Sequence, residues 1–96
     1  MKRDQILSIL RFNKPYMEQH FGVKSLGLFG SVAKEKASDE SDIDILVELK
    51  APKYDWWAGL LEYLQDKLGK KVDLITTGSH LSEKFLNRVN KEVIYV

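Results

Sequence analysis

The chain has 96 residues, a length that builds one domain around one core, and we expect a single domain over residues 1–96. Apolar residues make up 44% and charged residues 30%, and fifteen Lys and Arg against fourteen Asp and Glu leave a net charge of +1, which excludes binding that rests on a broad basic surface for nucleic acid. With no cysteine, disulfides, thiolate nucleophiles, zinc ribbons and iron–sulfur clusters are excluded together. No apolar run approaches the roughly 20 residues that cross a bilayer, and Asp4 and Arg11 interrupt what would otherwise resemble a signal segment, so a soluble, cytoplasmic protein is expected.

In chain order, Ile6, Leu7, Ile9 and Leu10 recur at helical spacing behind Asp4 as a cap, which predicts a helix over 4–12. Pro15 is expected to interrupt it, leaving Tyr16–His20 as a second helical piece ended by Gly22. Val23–Phe29 (VKSLGLF) reads as a strand, Gly30-Ser31 as its close, and Val32–Glu35 as a short helical turn. A polar, turn-like stretch at 36–41 leads into the clearest strand, Asp42–Leu49 (DIDILVEL). Pro52 ends it, and Asp55 caps a helix over Trp56–Leu68 with a stripe of Trp57, Leu60, Leu61, Leu64 and Leu68, closed by Gly69. Lys71–Thr76 is a further strand, 82–91 a last helix through Phe85, Leu86 and Val89, and Val93–Val96 a terminal strand. The order predicts an α/β (α+β) fold, a small mixed sheet with helices packed against it.

Chemistry concentrates in Gly30–Val47. Asp42 and Asp44 lie two apart at the head of a strand and so share one face, while Ile43, Ile45 and Val47 point to the opposite, buried layer. Adjacent carboxylates repel unless a cation sits between them. Oxygen-only ligands suit Mg²⁺, which takes one or two protein carboxylates and completes its shell with phosphate and water. An EF-hand is excluded, because Leu46 and Val47 occupy positions that such a loop needs for a ligand and a glycine. The competing reading is that Ser41-Asp42 merely ends a turn.

Asp73 is a lone charge in the apolar strand VDLI, facing away from Val72 and Leu74. Burying it is costly unless it is paired or holds a metal, and pairing with Lys70 or Lys71 is the plain alternative. If its strand lies beside Asp42–Leu49, the three carboxylates converge. Gly30 permits close approach of a ligand to the backbone, and Ser31 adds a hydroxyl where amide groups opening a helix can hold phosphate. His20 and His80 show no metal-ligand spacing, and Lys84, Arg88 and Lys91 read as a solvated face.

Taken together, Gly30-Ser31-Val32-Ala33, Ser41-Asp42-Ile43-Asp44 and Val72-Asp73-Leu74 resemble the motif of the minimal nucleotidyltransferases, small members of the DNA polymerase β-like superfamily, over essentially the whole chain. The resemblance implies nucleotidyl transfer, with two Mg²⁺ ions at Asp42, Asp44 and Asp73, ATP as substrate, and Gly30, Ser31 and Lys34 gripping its phosphates. One departure is Lys34-Glu35, where the family often has Arg-Gly: the cation is kept and a negative charge is added beside it. Such minimal proteins commonly pair with a helical HEPN-type toxin as its antitoxin, and some transfer AMP onto a partner tyrosine. Two alternatives stand beside that expectation, neutralisation of a partner by contact alone and nucleotide addition to RNA ends. The small size leaves no primer-holding domain, and the near-neutral charge counts against RNA. Tyr54, Trp56, Trp57 and Tyr63 crowd one region, and Trp56, Trp57 and Tyr63 cannot all face one core stripe, so those left outside are candidate anchors for a partner or for a second copy of the chain. The competing reading is that both tryptophans cover the edge of a small core.

Overall fold

The computed structural model describes residues 1–36, 41–78 and 80–96. Its elements are α1 (Arg3–Phe21), β1 (Val23–Phe29), α2 (Gly30–Ala33), β2 (Ile43–Leu49), α3 (Tyr54–Leu68), β3 (Val72–Thr76), α4 (Glu83–Glu92) and β4 (Ile94–Tyr95). The polar stretch expected to turn at 36–41 lies mostly outside the described residues. The strands form one mixed sheet in the order β3-β2-β1-β4, with β1 antiparallel to both β2 and β4 and β2 parallel to β3.

Period-two alternation sorts the strand residues into two layers. On one face, Ile43, Ile45 and Val47 of β2 pack with Leu26 and Leu28 of β1 against Ile6, Leu10 and Met17 of α1 and Leu60, Leu64 and Leu68 of α3. On the other, Leu46 and Phe29 meet Val89 of α4, in a smaller layer. Asp44 has the parity of Leu46, so it lies on the α4 side of the sheet.

Two expectations about α1 change. The helix runs through Pro15 without a break. Buried Ile6, Leu7 and Leu10 on one side of the proline and Met17 on the other hold both halves against a common core, and the missing N–H falls on an exposed stretch where water can serve the freed carbonyl. The N-cap is Lys2 rather than Asp4: its backbone N–H donates to Gln5 Oε1 at 2.8 Å, and Asp4 lies in the first turn, where a negative charge suits the helix dipole. Asp55 is displaced in the same way, into the first turn of α3 behind Lys53. Gly22 and Gly69 end α1 and α3 as expected.

Of the two roles open to the tryptophans, the structure favours cover for the edge of the core. Ile43 N–H donates to Lys71 C=O and Thr77 N–H to Val47 C=O, so the even-numbered residues of β3 direct their backbone groups to the sheet's outer edge. Trp57 Nε1–H donates to Leu74 C=O at 3.2 Å, and Gln65 Oε1 accepts from Val72 N–H at 3.1 Å. Two side chains of α3 thereby satisfy an edge that would otherwise invite pairing. Tyr63 stacks on Tyr16 with ring centroids 4.8 Å apart and donates its hydroxyl to Asn13 Oδ1 at 2.6 Å. Trp56 covers Gly22 so closely that a Cβ there would overlap the indole. Trp57, Tyr63 and Trp56 therefore serve the fold, and of the four only Tyr54, 73% exposed, stands out as a surface aromatic. No helix among the described residues is long and apolar enough to cross a membrane.

Candidate active site

The register brings the expected residues into one row. Phe29 of β1 stands opposite Asp44 of β2, and Asp44 stands opposite Asp73 of β3, so neighbouring strands place these side chains abreast on the α4 side of the sheet. Parallel pairing puts both carboxylates at the amino-terminal end of their strands. Asp44 is half-buried, and Asp73 and Asp42 are exposed. Among the described residues no ion pair involves Asp73, so the competing expectation of a partner at Lys70 or Lys71 is not met.

Burial, first of all, and then the neighbouring charges of Asp73 and Asp42 push the Asp44 carboxyl above the usual carboxylate range. The cluster is therefore self-repelling. A fold keeps such an arrangement where it serves a ligand, and perturbed carboxylates in a cleft mark functional sites.

Gly30, at the turn from β1 into α2, closes the site from the other side. Its φ is +77°, and a Cβ built there would overlap the Asp44 carboxylate. Only glycine allows the turn to approach Asp44 this closely in this conformation. Ser31 follows it in the first turn of α2 and is half-buried.

Asp44, Asp73, Gly30 and Lys34 border one cavity of about 310 Å³, whose apolar wall is Phe29, Ile75 and Phe85. Asp42 and Ser31 are not among its lining residues. Asp42 sits one residue ahead of β2, near enough to act on Asp44 electrostatically. Among the described residues no three Asp, Glu or His side chains enclose a metal position by themselves, so the expected convergence amounts to an adjacent pair with Asp42 beside it. That donor set, oxygen-only and mutually repelling, fits a hard cation that takes part of its shell from phosphate.

Two further residues, Arg88 and Glu92, enter the cavity, neither of them expected there. Arg88, expected on a solvated face, lines the cavity with its guanidinium 5.4 Å from the Phe85 ring centroid. Glu92 lines it too and pairs with Lys34, Oε1 to Nζ at 2.6 Å. Phe85, Arg88 and Glu92 recur at spacings of three and four, so a face of α4 carrying both charges and Phe85 was the available signal.

Glu35 has φ +60°, a conformation glycine adopts more readily, and it is the position at which the minimal nucleotidyltransferase motif often has glycine. Its carboxylate reaches Arg3 Nη2 at 3.4 Å and so points toward α1. The negative charge added by Lys34-Glu35 is thus drawn to Arg3, whereas the carboxylate that meets Lys34 is Glu92.

Residues 4–95 match the family model described as nucleotidyltransferase domain. The chain is 38% identical over 94 residues to protein adenylyltransferase MntA of Thermococcus cleftensis, an alignment that covers 97% of this chain and 94% of that protein. Among solved structures, a chain assigned as a minimal nucleotidyltransferase matches at a TM-score of 0.76 and 25% identity, covering 98% of this chain and 95% of that one. A chain in the crystal structure of a toxin–antitoxin with AMP-PNP matches at a TM-score of 0.68 and 25% identity, covering 99% of this chain and 72% of that one. The protein belongs to the nucleotidyltransferase domain family, in its minimal branch, and is a nucleotidyltransferase.

Proposed function

We propose that this nucleotidyltransferase moves AMP from ATP onto a tyrosine hydroxyl of a helical HEPN-type partner and acts as that partner's antitoxin. The observation that carries the reading is the adjacency of Asp44 and Asp73 across β2 and β3, with Gly30 folded against Asp44. A relative named for protein adenylylation and a structural neighbour from a toxin–antitoxin bound to AMP-PNP support the substrate and the partner.

Asp42, Asp44 and Asp73 are the residues that would hold Mg²⁺. When bound with the triphosphate, such ions neutralise charge on the attacking and leaving oxygens of an in-line displacement. The turn at Gly30 and Ser31 offers donors to the β and γ phosphates, and Lys34 and Arg88 bring positive charge to the same cavity. Phe29, Ile75 and Phe85 exclude water from one wall, which strengthens every charge interaction inside. Asp73, exposed at the edge of the row, accepts the proton of the acceptor hydroxyl. The freed oxygen attacks the α-phosphorus, a new oxygen–phosphorus bond forms, and the bond to the β-phosphate oxygen breaks. Pyrophosphate leaves with that electron pair, and AMP remains on the acceptor. Positioning and charge neutralisation do most of the work.

The test is incubation with Mg²⁺, a HEPN-type protein, cellular RNA and ATP labelled at either the α or the γ phosphate. The expected result is α label on the partner's tyrosine and no γ label. Label confined to RNA would replace this reading with RNA-end addition. Partner binding and neutralisation with no label on any protein would replace it with neutralisation by contact.

A further inference from the structure

We infer that Glu92 is a positioning residue for the nucleotide, holding the Lys34 ammonium at the cavity so that it meets the phosphates. The inference rests on the nucleotidyl-transfer reading and adds a residue to it. Lys34 follows α2, and its side chain is 46% exposed. A lysine on a surface turn has a flexible four-carbon stem, and fixing it costs rotamer entropy at the moment a ligand binds.

Here that cost is met beforehand. Glu92 Oε1 lies 2.6 Å from Lys34 Nζ, and the Glu92 side chain is only 19% exposed. Glu92 is itself fixed from both directions along the chain. Three residues before it, Val89 is fully buried against Phe29 and Leu46. Just after it, Val93 N–H donates to Val89 C=O at 2.8 Å, and Ile94 pairs with Leu28 of β1. The carboxylate is therefore presented by a helix end locked onto the sheet.

An ammonium has three N–H donors, and a single carboxylate oxygen takes one of them. Two remain for a phosphate at Gly30, so Lys34 need not leave Glu92 to bind. The opposite role, a latch that must open before ATP enters, predicts the reverse sign. Removing a latch tightens ATP binding, whereas removing a positioning residue weakens it.

The test measures KM for ATP, kcat and thermal unfolding for the wild type, Glu92→Ala, Glu92→Gln, Lys34→Met and the double variant Glu92→Ala/Lys34→Met. Glu92→Ala should raise KM about three- to tenfold with kcat within about twofold. Glu92→Gln, which keeps an acceptor oxygen, should lose less. In the Lys34→Met background Glu92→Ala should add nothing, because the interaction it acts through is already gone. A lower KM in Glu92→Ala, an unchanged KM, or an equal loss with and without Lys34 would each overturn the inference. If Glu92→Ala fails to fold, Glu92→Gln and Lys34→Met carry the same comparison. A wild type that neither binds ATP nor transfers label overturns the nucleotidyl-transfer reading as well, whereas an active wild type indifferent to Glu92 overturns only this inference.

Discussion

At its amino-terminal end the β2–β3 pair gathers Asp42, Asp44 and Asp73 beside the Gly30 turn, and the cavity there measures about 310 Å³. At the carboxyl end the same two strands open onto a cavity about twice as large, about 620 Å³, bordered by Lys50, Lys53, Tyr54, Trp57, Thr77 and His80 among others, with no carboxylate among its lining residues. The larger space is the less informative one. Its most committed polar residue, Trp57, is occupied in capping the β3 edge, so that end closes the fold. The smaller end carries a raised carboxyl, a glycine at positive φ and charges brought together from β2, β3, α4 and the residue that follows α2. Electrostatic cost and a backbone approach that only glycine permits, rather than volume, separate the site from a gap in the packing.

Substitutions at the two ends should therefore behave oppositely, and the widest contrast comes from Asp44→Asn. It should reduce transfer by at least about a thousandfold, read as label incorporation, by removing a central oxygen ligand. The same change should leave the ligand-free fold slightly more stable at neutral pH. Because the folded-state Asp44 carboxyl is raised above its ordinary value of 3.8, the native state binds more protons than the unfolded chain just above that pH. Stability contributed by Asp44 is thus present in acid and falls as pH rises through the raised value. Asp44→Asn abolishes that fall. With Asp44 half-exposed the gain should not exceed about 1 kcal/mol, measured by denaturant unfolding without Mg²⁺.

Gly30→Ala attacks the same end through the backbone. The methyl group overlaps the Asp44 carboxylate and the left-handed conformation disfavours alanine, so a loss of about 2 kcal/mol in stability and about a hundredfold in activity is expected. At the opposite end, Trp57→Phe should cost about 1 kcal/mol through the unsatisfied Leu74 carbonyl and leave transfer per folded molecule unchanged. Loss of partner binding at unchanged stability would instead make Trp57 a docking residue. The smallest effect belongs to Glu35→Gly, which relieves the positive φ and gives up an exposed pair with Arg3. Thermal unfolding should show a gain of about 0.5 kcal/mol.

Much of the site was legible because its signals are local. Asp42 and Asp44 at period two, Gly30 at a strand end and Asp73 as the one charge in VDLI each stand out within a few residues, whereas their convergence depended on β2 lying beside β3, a tertiary pairing that the sequence left open. Pro15 misled because propensity is local, whereas the core that holds α1 straight through it is tertiary. Glu92 and Arg88 were passed over for a related reason. Their meaning depends on α4 crossing the sheet above Phe29 and Asp44, which no spacing near them encodes. Trp57 fits the core stripe of α3 and a partner anchor equally well on the sequence, because a hydrogen bond from α3 to the outer edge of β3 has no sequence signature.

The most direct test of the central claim is transfer from α-labelled ATP by wild type and Asp44→Asn at equal folded concentration, with and without Mg²⁺. Label on a protein acceptor is expected with wild type and Mg²⁺ together, and none when either Asp44 or the ion is withdrawn. Equal label from Asp44→Asn, or label that persists without a divalent ion, would contradict it and move the chemistry away from the Asp44–Asp73 row.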